Sequence, residues 1–260
     1  MAGGPTLVFA LGSALVLLCG CEAAGTATGT TARTGADSTT AHAPTHTVDE
    51  LLGRFDPAAH PDFSRIPDAW TDKDSIYLRT EVLDAYSRMR ASADSAGIPL
   101  LIRSATRNFE YQRGIWERKW DRPRYMGWSA FEKARDIMTY SSMPGTSRHH
   151  WGTDIDLCEF ENEWFETGEG AQVYAWLTAH AVRFGFHQVY NELGSIGGSS
   201  GGRTGYNLER WHWSYMPLSS VMLADYNATV TCDSIQIFPG HQVADSLDVI
   251  RRYVNGIDRP

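Results

Sequence analysis

The stretch Ser147-Arg-His-His-Trp-Gly-Thr-Asp-Ile-Asp156 sets two imidazoles and two carboxylates close together in the chain. Neutral imidazole and carboxylate oxygen are zinc donors, and a catalytic zinc site takes three protein ligands while leaving one position open. A carboxylate that does not bind the metal then takes the proton of the attacking water. His149, His150, Asp154 and Asp156 are all candidates on residue type alone. A second cluster, Glu209-Arg-Trp-His212-Trp, adds a carboxylate and an imidazole three residues apart. On one regular strand these two would project to opposite faces, because side chains alternate. A bulge or a loop-to-strand transition is therefore needed for both to reach one ion.

The elements that must carry these groups can be read from hydrophobic period and breakers. Thr80 is expected to cap a helix over Thr80–Arg90 and beyond, with Gly97 as its stop. Ile98–Thr106 reads as a buried strand, and Asn108 caps a second helix running towards Trp120. Gly152–Cys158 alternates as a strand, which puts Asp154 and Asp156 on one face. A third helix is expected over Gly170–Phe184 with Gly185 ending it, then a strand over Phe186–Tyr190. Gly194–Gly205 is a Gly/Ser loop of the kind that flanks binding sites. Leu208–Tyr215 follows as a strand, and Val243–Tyr253 as an amphipathic helix with Leu247, Ile250 and Val254 on its apolar side. Helices and short strands mix without a βαβ rhythm, so the fold class is α+β, a small antiparallel sheet flanked by helices.

The chain has 260 residues, 42% of them hydrophobic, a net charge of −8 and a pI near 5.6. That suits one domain with a real core and excludes a general nucleic-acid binder, which carries a basic stripe. Leu7–Leu18 is an apolar run too short to span comfortably but right for a signal-peptide core. It ends in Leu18-Cys-Gly-Cys21, which resembles a bacterial lipobox and implies lipid on Cys21 and anchorage to a membrane. The segment before it lacks the usual Lys or Arg. Residues 1–21 are thus expected to be a lipoprotein signal, 22–47 a flexible Thr/Ala/Gly tether and 48–260 the domain with a C-terminal helical extension. This places the protein outside the cytoplasm, anchored and facing the periplasm or wall. His42 and His46 read as solvated tether residues. Cys158 and Cys232 are the cysteines left for the folded part, and spacing alone does not say whether they pair.

Ser147-x-His149-x-x-Gly152-x-x-x-Asp156 followed by Glu209-x-x-His212 resembles the two-part zinc signature of the D-alanyl-D-alanine carboxypeptidases. Lysostaphin-like and penicillin-insensitive peptidoglycan peptidases belong to the same wider group. The resemblance covers roughly residues 80–217. It implies that His149, Asp156 and His212 bind zinc and that Glu209 is the general base. It also implies that Arg107, in Ser104-Ala-Thr-Arg107, steadies the polarised carbonyl oxygen, with Gln112 as its usual companion. Asp154 departs from the pattern, where many members carry Ala, and is left as a rival ligand or substrate contact. His150 is the rival to His149. Ser147 and Trp211 are expected around the ligands or the cleft.

The implied activity is hydrolysis of D-Ala-D-Ala at the end of a peptidoglycan stem peptide. Cleavage of a D,D cross-link or an L-Ala-D-Glu bond is the alternative, and a zinc-containing wall-binding protein without turnover is a more distant one. The oligomeric state is not legible. His180, His187 and His241 read as packed core histidines, Trp151 and Trp213 as core, and Glu159–Glu163 as a solvated connection.

Overall fold

Residues 43–193 and 202–260 are described by a computed structural model of the chain. The sequence Thr47-Val-Asp-Glu50 forms a reciprocal capping box that starts a short helix, α1 (Val48–Leu51). Strands β1 (Phe63–Arg65) and β2 (Tyr77–Arg79) pair as a hairpin, and β2 runs straight into α2 (Thr80–Ser95). Thr80 opens that helix without capping it; its hydroxyl donates to Asp62 O at 3.1 Å instead. Gly97, at φ +73°, turns the chain out of α2 as expected. After β3 (Ile102–Ser104), Asn108 accepts from the Tyr111 N–H and caps α3 (Phe109–Trp120). Ser129 and Glu132 cap α4 (Ala130–Ile137) in the same reciprocal way as α1.

The functional sheet has four antiparallel strands in the order β3, β4 (Asp154–Leu157), β6 (His212–Tyr215), β5 (Phe186–His187). Its register places Asp156 opposite His212, Ile155 opposite Trp213 and Asp154 opposite Ser214. Alternation therefore sorts the sheet into two faces. Ile155, Leu157, Trp213 and Tyr215 join a core with α2 and with α5 (Gly168–His180). Asp154, Asp156, His212 and Ser214 form the other, polar face. A second core lies beyond it, built from α1, α3, α4 and α6 (Met216–Thr229) and including the fully buried Trp116 and Trp151.

The class is α+β, with a small antiparallel sheet flanked by helices, as expected. Individual elements are shorter than their periodicity suggests. The strand over Ile98–Thr106 shrinks to Ile102–Ser104: Pro99 has no N–H for the ladder. At the other end the Ala105 and Arg107 carbonyls are used by histidine rings. Only His212–Tyr215 of Leu208–Tyr215 is strand, because Asn162 holds the preceding turn by accepting from the Arg210 N–H and donating to Leu208 O. Val243–Tyr253 is not an α-helix. Asp248, at φ +53°, breaks it, and a π-helical turn over Ile250–Val254 follows. Leu247, Val249 and Val254 are still buried in the second core. His46 is not solvated: its Nδ1 lies 2.6 Å from buried Asp225 Oδ2, which also accepts from the Thr45 N–H and hydroxyl. Cys158 and Cys232 are both free. Cys21, His42 and most of the Gly194–Gly205 loop lie outside the described residues. Among the described residues no helix is long and apolar enough to cross a membrane.

Gly152 is the tightest point between the two halves of the opening stretch. Its φ is +72°, and a Cβ there would lie 2.4 Å from Phe63 Cε1 and 3.1 Å from Arg79 Cγ. Gly152→Ala is expected to cost about 1–3 kcal/mol through left-handed strain and the clash. Denaturant unfolding of the two proteins measures it.

Candidate metal centre

The two histidines of the opening stretch sit on a 3₁₀ turn, Arg148–Trp151, packed against the β3–α3 loop. That loop sorts them with its backbone carbonyls. His149 Nδ1–H donates to Ala105 O at 2.8 Å, which leaves Nε2 with its lone pair. Nε2 is buried and makes no hydrogen bond among the described residues; it faces Asp156 Oδ2 at 3.3 Å. His150 is used up differently. Its Nε2 accepts from the Gly145 N–H at 2.9 Å, so Nδ1 carries the proton and donates to Arg107 O at 2.6 Å. Both ring nitrogens of His150 thus go to backbone, and burial pushes its pKa down to about 3. It is a neutral strut between two loops, with no lone pair to give a metal.

His212 is oriented from behind by a buried charge pair. Its Nε2–H donates to Asp154 Oδ1 at 2.9 Å, and Arg148 Nε reaches the same oxygen at 3.1 Å. Thr153 Oγ1 donates to Asp154 Oδ2 at 2.5 Å, and Arg148 also donates to Ser214 Oγ at 2.6 Å. Burial alone would raise Asp154, but the Arg148 guanidinium and the His212 bond hold it below the usual carboxylate range. With Nε2 occupied in this way, His212 turns Nδ1 towards Asp156 Oδ1 at 3.0 Å. Burial opposes charge on this ring, yet the two aspartates raise its pKa to about 9. A carboxylate oxygen and an imidazole lone pair at that separation repel unless a cation or a proton sits between them. Ligand atoms of His149, Asp156 and His212 all lie within 4.8 Å of one another. The donor set of two imidazoles and one carboxylate, with an unbonded Nε2 among them, fits zinc. A second group, Glu50, His60 and Asp62, is more exposed and its acids already pair with Arg79.

Glu209 approaches from the turn before β6. Its N–H is fixed to Tyr190 O at 2.8 Å and its carbonyl accepts from the His212 N–H at 3.3 Å. The turn meets the geometric demand of the Glu-x-x-His spacing, since both side chains now face one site: Glu209 Oε2 lies 3.8 Å from His212 Nδ1. Burial pushes its carboxyl up to about 7, helped by Asp156 and opposed by His212 and Arg107. Arg107 reaches in from the β3–α3 loop, with its NH2 3.9 Å from Asp156 Oδ2. Its Nε makes no hydrogen bond among the described residues. These groups open on a cavity of about 420 Å³ lined also by Trp211, Tyr140 and the segment Phe160–Glu163. The acidic run is therefore a wall of the cleft and more than a solvated connection.

Gln112 is fully buried beneath the cleft and donates to Ser142 O at 2.8 Å. Ser147 Oγ is buried near the histidines with no hydrogen-bond partner among the described residues. Arg148 and Tyr190, whose ring lies 4.5 Å from that of His212, were not legible as site residues. An Arg flanked by His in a turn carries no signal of burial; only the strand register reveals its partner. His187 pairs with Asp258 at 2.9 Å, consistent with a packed role.

A family model described as VanY, D-alanyl-D-alanine carboxypeptidase, matches residues 75–218. A D-alanyl-D-alanine carboxypeptidase of Enterococcus faecalis is 26% identical over 133 residues, which are 50% of this chain and 44% of that protein. The structure of VanYB in complex with D-alanine-D-alanine is 21% identical, covers 66% of this chain and 87% of its own, and has a TM-score of 0.47. That of the LD-carboxypeptidase LdcB is 20% identical, covers 68% and 76%, and has a TM-score of 0.48.

Asp154→Ala removes the acceptor behind His212 and strands a buried guanidinium. Zinc affinity is expected to fall about 10–100-fold, measured by competition with a chelating dye. Stability should fall by about 3–5 kcal/mol, because Arg148 keeps an unpaired buried charge. Adding Arg148→Met should restore much of the stability without restoring zinc affinity.

Proposed function

The chain belongs to the VanY family of D-alanyl-D-alanine carboxypeptidases, and from that premise we propose that it is a zinc-dependent peptidase that removes the terminal D-Ala from peptidoglycan stem peptides. The observation that carries this reading is a buried carboxyl held beside three convergent zinc donors without being one of them. Glu209 is that carboxyl, and a site made only to bind zinc has no use for it.

His149 Nε2, His212 Nδ1 and Asp156 would hold the ion. Bound zinc would supply a Lewis acid that polarises the scissile carbonyl and makes the attacking water more acidic. The protein's own residues do the rest. Glu209, raised to about 7 by burial, is poised to take a proton from water near neutral pH and return it to the leaving amine. Arg107 lines the cleft, and its Nε, which makes no hydrogen bond among the described residues, is a donor for the developing oxyanion. Trp211, packed at 6.2 Å from Phe160, gives the substrate an apolar wall beside the charges. His150 keeps the Arg107 loop at a fixed distance from the His149 turn. Export by the N-terminal apolar segment and lipidation at Cys21 would bring such an enzyme to its polymeric substrate.

Glu209→Ala is expected to retain zinc, read by metal analysis, and to lose about 10²–10⁴-fold in turnover of a D-Ala-D-Ala pentapeptide. Retained turnover would remove Glu209 from the base role. Arg107→Met should lower kcat about 10²-fold with a smaller change in KM, as for loss of an oxyanion donor. Product masses from the pentapeptide and from a cross-linked dimer check the bond that is cut.

A further inference from the structure

One cation in the cleft has no assigned purpose. Lys119, in the last turn of α3, lines the same cavity as Arg107, Glu209 and Trp211. Its ammonium donates to Ser141 Oγ, and among the described residues it has no carboxylate partner. This sets it apart from its neighbours. Arg113 pairs with Glu110 and Glu117, Arg103 with Asp72 and Glu159, and Arg210 with Glu166. An ammonium has three donors, so Lys119 keeps two for something else. Ser141 is the link to the metal centre, because it lines both the main cavity and the small one between Ser147, His149, Glu209 and His212.

We infer that Lys119 and Ser141 form the subsite for the free C-terminal carboxylate of the peptide, one residue beyond the scissile bond. The inference rests on the peptidase reading and deepens it. A terminal carboxylate lies one residue, about 3.8 Å of chain, past the carbonyl that is attacked. Arg107 lies next to Asp156, where that carbonyl would sit, and Lys119 is a second cation lining the same cavity. Burial, then Arg122 and Arg107, hold the Lys119 pKa below its ordinary value. An arriving carboxylate would relieve that repulsion. Glu161 and Glu163 line the same cavity and would repel the carboxylate from their own part of it. Recognition of a terminal carboxylate by a half-buried cation makes the enzyme cut one residue from an end. A peptide whose carboxyl at that place is an amide leaves the ammonium unpaired and is disfavoured.

The test uses zinc-loaded protein and two pentapeptides that differ only at the end, one a free D-Ala-D-Ala acid and the other its C-terminal carboxamide. The wild type should favour the acid in kcat/KM by about tenfold or more, the order expected for one charge-assisted bond. Lys119→Met should bring the acid-to-amide ratio towards one, mainly through KM, while Lys119→Arg keeps part of the preference. Zinc content reports on whether the variants retain the site. A wild type that treats acid and amide alike overturns the inference, independently of how any variant folds. So does a Lys119→Met that loses both substrates by the same factor. A zinc-loaded wild type that cleaves neither peptide instead sinks the peptidase reading on which the inference rests.

Discussion

The pairing of Asp156 with His212 across β4 and β6 is the constraint from which the site follows. Directly opposed residues on antiparallel strands have neighbouring side chains on the same face. Once the register is fixed, a carboxylate and an imidazole must meet in a buried place, and their lone pairs need a positive charge between them. The same register brings Asp154 opposite Ser214, so the position two residues back supplies the acid that holds the other ring nitrogen of His212. A slip by one residue would exchange this polar face for Ile155 and Trp213. The apolar face, packed against α2 and α5, forbids that slip. Hydrophobic burial on one side of the sheet thereby fixes ligand geometry on the other.

The remaining candidate ligand, His149, is placed by backbone and not by side-chain partners. The β3–α3 loop leaves the ladder after Ser104 and offers its Ala105 and Arg107 carbonyls to adjacent histidines. One ring is thereby given a free Nε2, and the other is locked as a strut. Two histidines of identical chemistry acquire different roles from which carbonyl each one meets. The loop also delivers Arg107, so this cation and the candidate donor His149 share a single support.

Much of this was legible in the chain. The spacing of the two motifs pointed to His149, Asp156 and His212, which the fold brings together, and the alternation in Gly152–Cys158 put Asp154 and Asp156 on one face. The capping Asn108 and the stops at Gly97 and Gly185 were readable because their chemistry is local. What failed was everything decided at a distance. Periodicity could not shorten the strand before His212, because Asn162 ends it from another segment. It could not break the C-terminal helix at Asp248 or dock His46 on Asp225. Nor could it separate His149 from His150, or show that Asp154 stands behind His212, since both depend on hydrogen bonds to residues remote in sequence. Charge composition hid the cleft as well: Lys119 and the acidic wall at Glu161 and Glu163 are ordinary charges until the fold sets them around one cavity.

The most direct test of the account is an anomalous-scattering map at the zinc edge from crystals of the zinc-loaded protein. One peak should be bonded to His149 Nε2, His212 Nδ1 and the Asp156 carboxylate, with Asp154 on His212 Nε2 and Glu209 outside the coordination sphere. Zinc held by Asp154, by His150 or through His212 Nε2 would contradict it, as would Glu209 serving as a ligand.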